Sequence, residues 1–154
     1  MSKNLKIYLT ALIAVFFLAT TAQTTWNVKQ DGSGHFTTIS AAIAAAAAGD
    51  IINVAAGNYD ETITIGKSLK LYGATAGISK LNYSVPANYT YADQTVIDKK
   101  NAGGSVKVSI SAGVSDVVFD GFVVQTLDAV GQNGGCMNIS SQGSVLVNNN
   151  LKIE

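Results

Sequence analysis

From residue 51 onward the chain breaks into short apolar runs separated by Gly, Asn, Asp and Ser, a pattern that suits many short strands and little helix. The runs fall at 51–54, 62–65, 69–72, 95–97, 106–110, 117–119, 122–125, 137–140, 145–147 and 151–153. Two stretches share one order. Val117-Val118-Phe119, a corner of Asp120-Gly121 and renewed alternation from Phe122 parallel Val145-Leu146-Val147, a corner of Asn148-Asn149-Asn150 and renewed alternation from Leu151. Phe122 and Leu151 lie 29 residues apart, inside the window of about 20 to 50 residues that marks stacked repeats. Strand-sized units at that period predict a solenoid, in which each coil pairs in parallel with its neighbours and inward side chains stack into a narrow apolar core. Corners then favour Gly, Asn and Asp, which tolerate positive φ or bond their own backbone. An antiparallel sandwich also uses many short strands. The sequence offers no clear two-residue hairpin loop between paired alternating runs, because the segments flanking Asp120-Gly121 are too short for a stable hairpin.

A solenoid end must be closed, or it exposes strand edges and bare apolar side chains. The stretch after Phe36 is suited to that task and predicts a capping helix over about 38–48. Thr37 or Thr38 can cap its start, Ile39 and Ile43 share one face, and Gly49 can close its end as a C′ glycine. Five alanines from Ala44 add helix propensity with little bulk.

The residues around this helix carry a resemblance. Asp31-Gly32-Ser33-Gly34, Phe36, Thr38-Ile39, Ala42-Ile43 and then Gly57, Tyr59 and Glu61 resemble the opening of the pectinesterases, and Ile63, Ile65, Leu69, Leu71 and Gly73 are similar to that family's second coil. The resemblance covers residues 26–75 and fades to a generic coil pattern from 95 to 154. It implies a right-handed parallel β-helix, a pectin lyase-like fold, with a short N-terminal helical cap. It also implies that Phe36 and Tyr59 bury their rings against the cap and that Glu61 bonds backbone at a corner. Family members hydrolyse methyl esters with paired aspartates, oxyanion-stabilising glutamines and an arginine. Where their first glutamine stands, this chain has Gly134-Gly135-Cys136-Met137-Asn138, and it contains no arginine. Catalytic residues are therefore not assigned.

Ahead of the cap, Lys3 and Lys6 precede an uncharged apolar run over 7–19 and a small-residue tail ending at Ala22. That order predicts a secretory signal peptide over 1–22, too short in its apolar core for a membrane span, and leaves 23–154 as the cap and first coils of an exported chain. The expected location is extracellular, at the cell surface or in the periplasm, with no membrane association after cleavage. Without Lys3 and Lys6, eight of the ten lysines remain against ten acids, a formal charge of −2. This balance lacks the basic footprint of a nucleic-acid binder. The lone Cys136 cannot form an intrachain disulfide and reads as a small buried hydrophobe. The chain stops at Glu154 inside an alternating segment, which reads as truncation at the C-terminus.

No metal or cofactor is expected. Asp116, Asp120 and Asp128 are spread over two corners and read as corner or solvent residues rather than a calcium cluster. Lys99-Lys100 reads as a solvated loop, and Asn82, Asn88 and Asn138 sit in glycosylation-type triplets. Tyr83, Tyr89 and Tyr91, with Pro86 among them, form an aromatic segment that either packs onto the coil or stacks on sugar rings. These tyrosines are the candidate substrate-binding residues. The expected function is a secreted β-helix that binds or acts on acidic, pectin-like cell-wall polysaccharide. The alternatives are a truncated pectinesterase-type esterase and a non-enzymatic surface or adhesion solenoid.

Overall fold

The computed structural model describes residues 22–77, 91–97, 108–124, 137–139 and 145–148. The protein is mostly β, with parallel strands and one short helix. In chain order the elements are β1 (Thr25–Val28), α1 (Ile39–Ala45), β2 (Ile51–Val54), β3 (Gly57–Tyr59), β4 (Ile63–Ile65), β5 (Lys70–Tyr72), β6 (Thr95–Ile97), β7 (Val108–Ile110), β8 (Val117–Asp120), β9 (Phe122–Val124), β10 (Met137–Ile139) and β11 (Val145–Asn148). A 3₁₀ turn, Tyr91–Asp93, leads into β6.

Three sheets hold these strands: β1-β2-β5-β8-β11, β3-β6-β9 and β4-β7-β10. From β2 onward the chain visits the first, second and third sheets in rotation, so each strand pairs with one from the next circuit. Every pairing is parallel among the described residues. An antiparallel sandwich is thereby excluded for them. Val117–Asp120 aligns residue for residue with Val145–Asn148, as the order read from the repeat expects. The segment 151–153 lies outside the described residues, as do residues 1–21.

Alternation explains the core. Ile52, Leu71 and Phe119 form one inward row of the first sheet, Tyr59, Ile97 and Val124 one of the second, and Ile63 with Val108 and Ile65 with Ile110 two of the third. All are buried, each contributing about 1.5–3 kcal/mol relative to exposure for a large aliphatic or aromatic side chain. Phe119 and Phe122 stack across the corner at 4.2 Å. Residues 57–59 fall outside the apolar runs of the sequence yet form β3, because Gly57, Asn58 and Tyr59 pair with Thr95, Val96 and Ile97. Turn-like composition yields there to tertiary pairing.

The helix is shorter than the sequence predicts, ending at Ala45 with Ala46 as its C-cap. Gly49, with φ 91°, lies in the following turn rather than at C′. The helix carries no charged residue in its first or last turn. The charges at its ends come instead from Glu61 and Lys67, on either side of β4. Glu61 accepts hydrogen bonds from Ile39 N (2.8 Å) and Ser40 N (2.9 Å) as well as from Ser40 Oγ. Thr38, the N-cap, accepts from Ala41 N at 3.3 Å, and its carbonyl accepts from Ala42 N at 3.4 Å. All four leading amides are thus bonded. At the other end Lys67 Nζ donates to Ala46 O (2.7 Å) and Ala44 O (3.4 Å), placing a cation where the helix dipole favours one. Ile39, Ala42 and Ile43 face the core.

The loop before the helix seals an edge. β1 pairs with β2 on one side only. On its other side Asn27 O accepts from His35 N (2.8 Å) and Phe36 N (3.2 Å), and Lys29 N donates to Phe36 O (2.9 Å). The remaining Asn27 N–H donates to His35 Nδ1 at 2.9 Å, which puts the neutral imidazole proton on Nε2. Gly34 makes this fold-back possible, since a Cβ there would meet Asn27 O at 2.7 Å. Trp26 packs against His35 edge-on at 5.7 Å and against Phe36 at 5.5 Å. Phe36 is half-buried against the core and Tyr59 fully buried.

Asp50 ties the same region together. Its carboxylate accepts from Thr24 N (2.9 Å), Trp26 Nε1 (3.0 Å) and Ala47 N (2.9 Å), linking β1, the helix exit and β2. Those donors, the Thr24 amide foremost, hold the Asp50 carboxyl below its ordinary range. A depressed native pKa stabilises the fold above the unfolded value of about 3.9, and that stabilisation is lost as pH falls through the native value. Comparing thermal melts of the wild type and Asp50→Asn, we expect a difference in Tm that is constant from pH 7 to about pH 4 and shrinks below it. A gap that persists unchanged to pH 2 contradicts the clamp.

Close approach between circuits sets a second test. Gly121 has φ 79°, and a Cβ on it would lie 2.2 Å from Ala76 N. Thr75 Oγ1 donates to its carbonyl at 3.1 Å, and Gly73 N donates to Asp120 O at 2.8 Å. Gly121→Ala combines left-handed strain with overpacking and is expected to cost about 2–4 kcal/mol, read from the denaturant midpoint. A loss under 0.5 kcal/mol, the usual range for a neutral surface change, refutes the close corner.

Candidate functional site

The outward faces of the three sheets differ in accessibility. On the second sheet Val96 and Val123 occupy the outward row yet are each only 1% exposed. On the third, Thr64 and Ser109 face outward in register and Ser109 Oγ bonds Thr64 Oγ1 at 3.4 Å. On the first sheet a groove of about 370 Å³ opens across β1, β2 and β5. Register places Asn27, Asn53 and Tyr72 in one row across these strands, with Asp120 of β8 and Asn148 of β11 next in line. Parallel strands lie about 4.8 Å apart, so the row offers one functional group per strand.

Local sequence explains the row. Ile52 and Val54 point inward from β2 and Leu71 from β5, so the intervening Asn53 and Tyr72 must point outward. Asn53 is exposed, while Asn27 and Tyr72 are half-buried. The floor is built from small corner residues, Ala55, Gly73 and Ala74, and from the strand ends at Val28 and Val54. Thr95, fully buried, fixes that corner: its Oγ1 accepts from Ala74 N (2.8 Å) and lies 3.1 Å from both Val54 O and Ala55 O. Its hydroxyl proton therefore binds one circuit to the next beneath the groove.

Lys29 lines the rim, and Lys70 stands two residues before Tyr72 on the same outward parity. Among the described residues no hydrogen bond or ion pair holds either ammonium group. Asp31 lies near Lys29 and remains anionic well below neutrality, because the Ser33 amide, then the Ser33 hydroxyl, and the Lys29 charge favour its ionised form. A Tyr ring, two amides and the Lys29 ammonium over a floor of methyl groups can bind a ring with an apolar face, hydroxyls and an anionic substituent.

The sequence-derived candidates are distributed differently. Tyr91 opens the 3₁₀ turn before β6, whereas Tyr83 and Tyr89 lie outside the described residues, as do Asp128, Lys99, Lys100, Cys136, Asn82 and Asn88. Asp116 and Asp120 belong to corners: Asp116 has φ 55°, and Asp120 Oδ2 accepts from Gly77 N at 2.9 Å. Asn138 sits in β10, paired with Ser109. Among the described residues no group of three or more His, Cys, Asp or Glu gathers at metal-binding range, and no helix is long and apolar enough to cross a membrane. Asn53 and Tyr72 were legible as strand positions; Asn27, in β1, was not, nor was the register that aligns the three. No family, curated protein or solved structure matches this chain.

Proposed function

We propose that this chain forms a secreted, helix-capped right-handed parallel β-helix and binds acidic, pectin-like polysaccharide on its lateral face. Rotation of the chain through three parallel sheets supports the β-helix, and the helix packed against β1, β2 and β4 supports its role as a cap. The observation that carries the binding reading is the groove on the first sheet, where Tyr72 stands in register with Asn27 and Asn53 beside Lys29. Tyr72 offers a ring face to the C–H side of a sugar, the amides offer donors and acceptors to its hydroxyls, and the lysine answers a carboxylate. Among the described residues the rim presents amide, phenol and ammonium groups, which hold a sugar without attacking it. Binding is accordingly proposed ahead of ester hydrolysis.

Titration of the protein with oligogalacturonate, followed by calorimetry or by NMR of the ligand, is the test. Tyr72→Ala is expected to weaken binding about tenfold, the scale of one lost aromatic contact, while leaving the melting temperature within a few degrees. Wild-type affinity in a folded Tyr72→Ala protein removes the groove as the binding site.

A further inference from the structure

The charges along the first sheet are not symmetric about the groove. At the β1 end Lys29 lines the groove, with the Asp31 carboxylate near it but outside the lining. Beyond Tyr72, at the next register position, stands Asp120. One of its carboxylate oxygens accepts from Gly77 N at 2.9 Å, and the residue is half-buried. Three strand spacings, about 14 Å, separate the β1 and β8 positions of the row. That distance exceeds the Debye length of about 8 Å at physiological salt, so a ligand unit near one end feels chiefly the charge at that end. The groove itself covers β1, β2 and β5 and stops short of β8.

Resting on the polysaccharide reading above, we propose that the groove takes three consecutive units of a glycan laid across the strands, one unit per strand, and that it discriminates charge by position. A carboxylate is accepted at the Lys29 end, and Asp120 disfavours a carboxylate on the fourth unit. The preferred ligand is therefore a short acidic run followed by an uncharged unit, rather than a uniformly acidic chain. The strand spacing of about 4.8 Å is commensurate with one pyranose ring of an extended 1,4-linked chain, which is what lets the row count units.

The test is calorimetric titration with the dimer, trimer and tetramer of 1,4-linked galacturonate, and with the tetramer in its methyl-esterified form, against wild type, Lys29→Gln and Asp120→Asn. Asparagine keeps an acceptor for Gly77 N, so the corner is preserved. For the wild type, affinity should rise from dimer to trimer and gain nothing at the acidic tetramer, while the esterified tetramer binds Asp120-bearing and Asp120→Asn proteins alike. Asp120→Asn should raise affinity for the acidic tetramer about threefold and leave the trimer unchanged, and Lys29→Gln should lower affinity for the acidic trimer about threefold, as expected of exposed charge pairs. A wild-type protein that binds the acidic tetramer more tightly than the trimer, or an Asp120→Asn protein that treats both as the wild type does, overturns the positional discrimination even if Tyr72-dependent binding stands. Absence of binding to every oligomer, charged or esterified, overturns the polysaccharide reading itself and this inference with it.

Discussion

The open edge of β1 is the constraint on which the rest of the structure depends. A strand that begins a stack of parallel sheets has neighbours on one side only, and its other row of amides and carbonyls invites pairing with another chain. Here the chain folds back on itself immediately after β1. His35 and Phe36 bond Asn27 and Lys29 as a fragment of strand would, and the His35 imidazole supplies the acceptor that a full strand would have provided. The turn that permits this leads directly into α1, so edge closure and core closure are made by one continuous segment. Glu61 and Lys67, on either side of β4, then hold the two ends of the helix from below. A seven-residue helix has little intrinsic stability, and these contacts with the first circuit make up for it.

Much of this was legible in the sequence. Strand positions follow from alternation, and β2 and β6 begin and end where the apolar runs do. Ile39 and Ile43 identify the buried helix face, and Asp116 and Gly121, read as corner residues, have positive φ. What escaped reading is long-range pairing. β3 is a strand because Thr95 lies beside Gly57, 38 positions later, and nothing in Gly57-Asn58-Tyr59 itself says so. β1 escaped for the same reason: Thr25–Val28 becomes a strand only through β2. Glu61 was read as bonding backbone at a corner, and it does bond backbone, but that of the helix 22 positions earlier. Asp50 carried no expectation, although an acid placed directly before an apolar strand is the visible signal that it could reach back to the preceding elements.

The candidate site has the same character. Asn27, Asn53 and Tyr72 are far apart in the chain and of ordinary types, so no motif gathers them. Register does, and it also sets Asp120 next in line. The aromatic candidates recognised in the sequence lay close together along the chain, where local clustering is easiest to see. A stack of parallel strands instead builds its surfaces from residues one circuit apart, so the functional row runs perpendicular to the direction in which a sequence is read. The small residues of the corner, Ala55, Gly73 and Ala74, keep that row open, while the Thr95 hydroxyl fixes the corner beneath it.

Amide hydrogen exchange of the native protein, followed residue by residue by NMR, tests the closure of β1 most directly. If the loop seals the edge, the amides of Asn27 and Lys29 exchange as slowly as those of β2, and His35→Ala speeds Asn27 selectively while Lys29, bonded to Phe36 O, stays protected. Exchange of Asn27 and Lys29 as fast as that of exposed Thr37, in protein whose β2 amides are protected, contradicts the account.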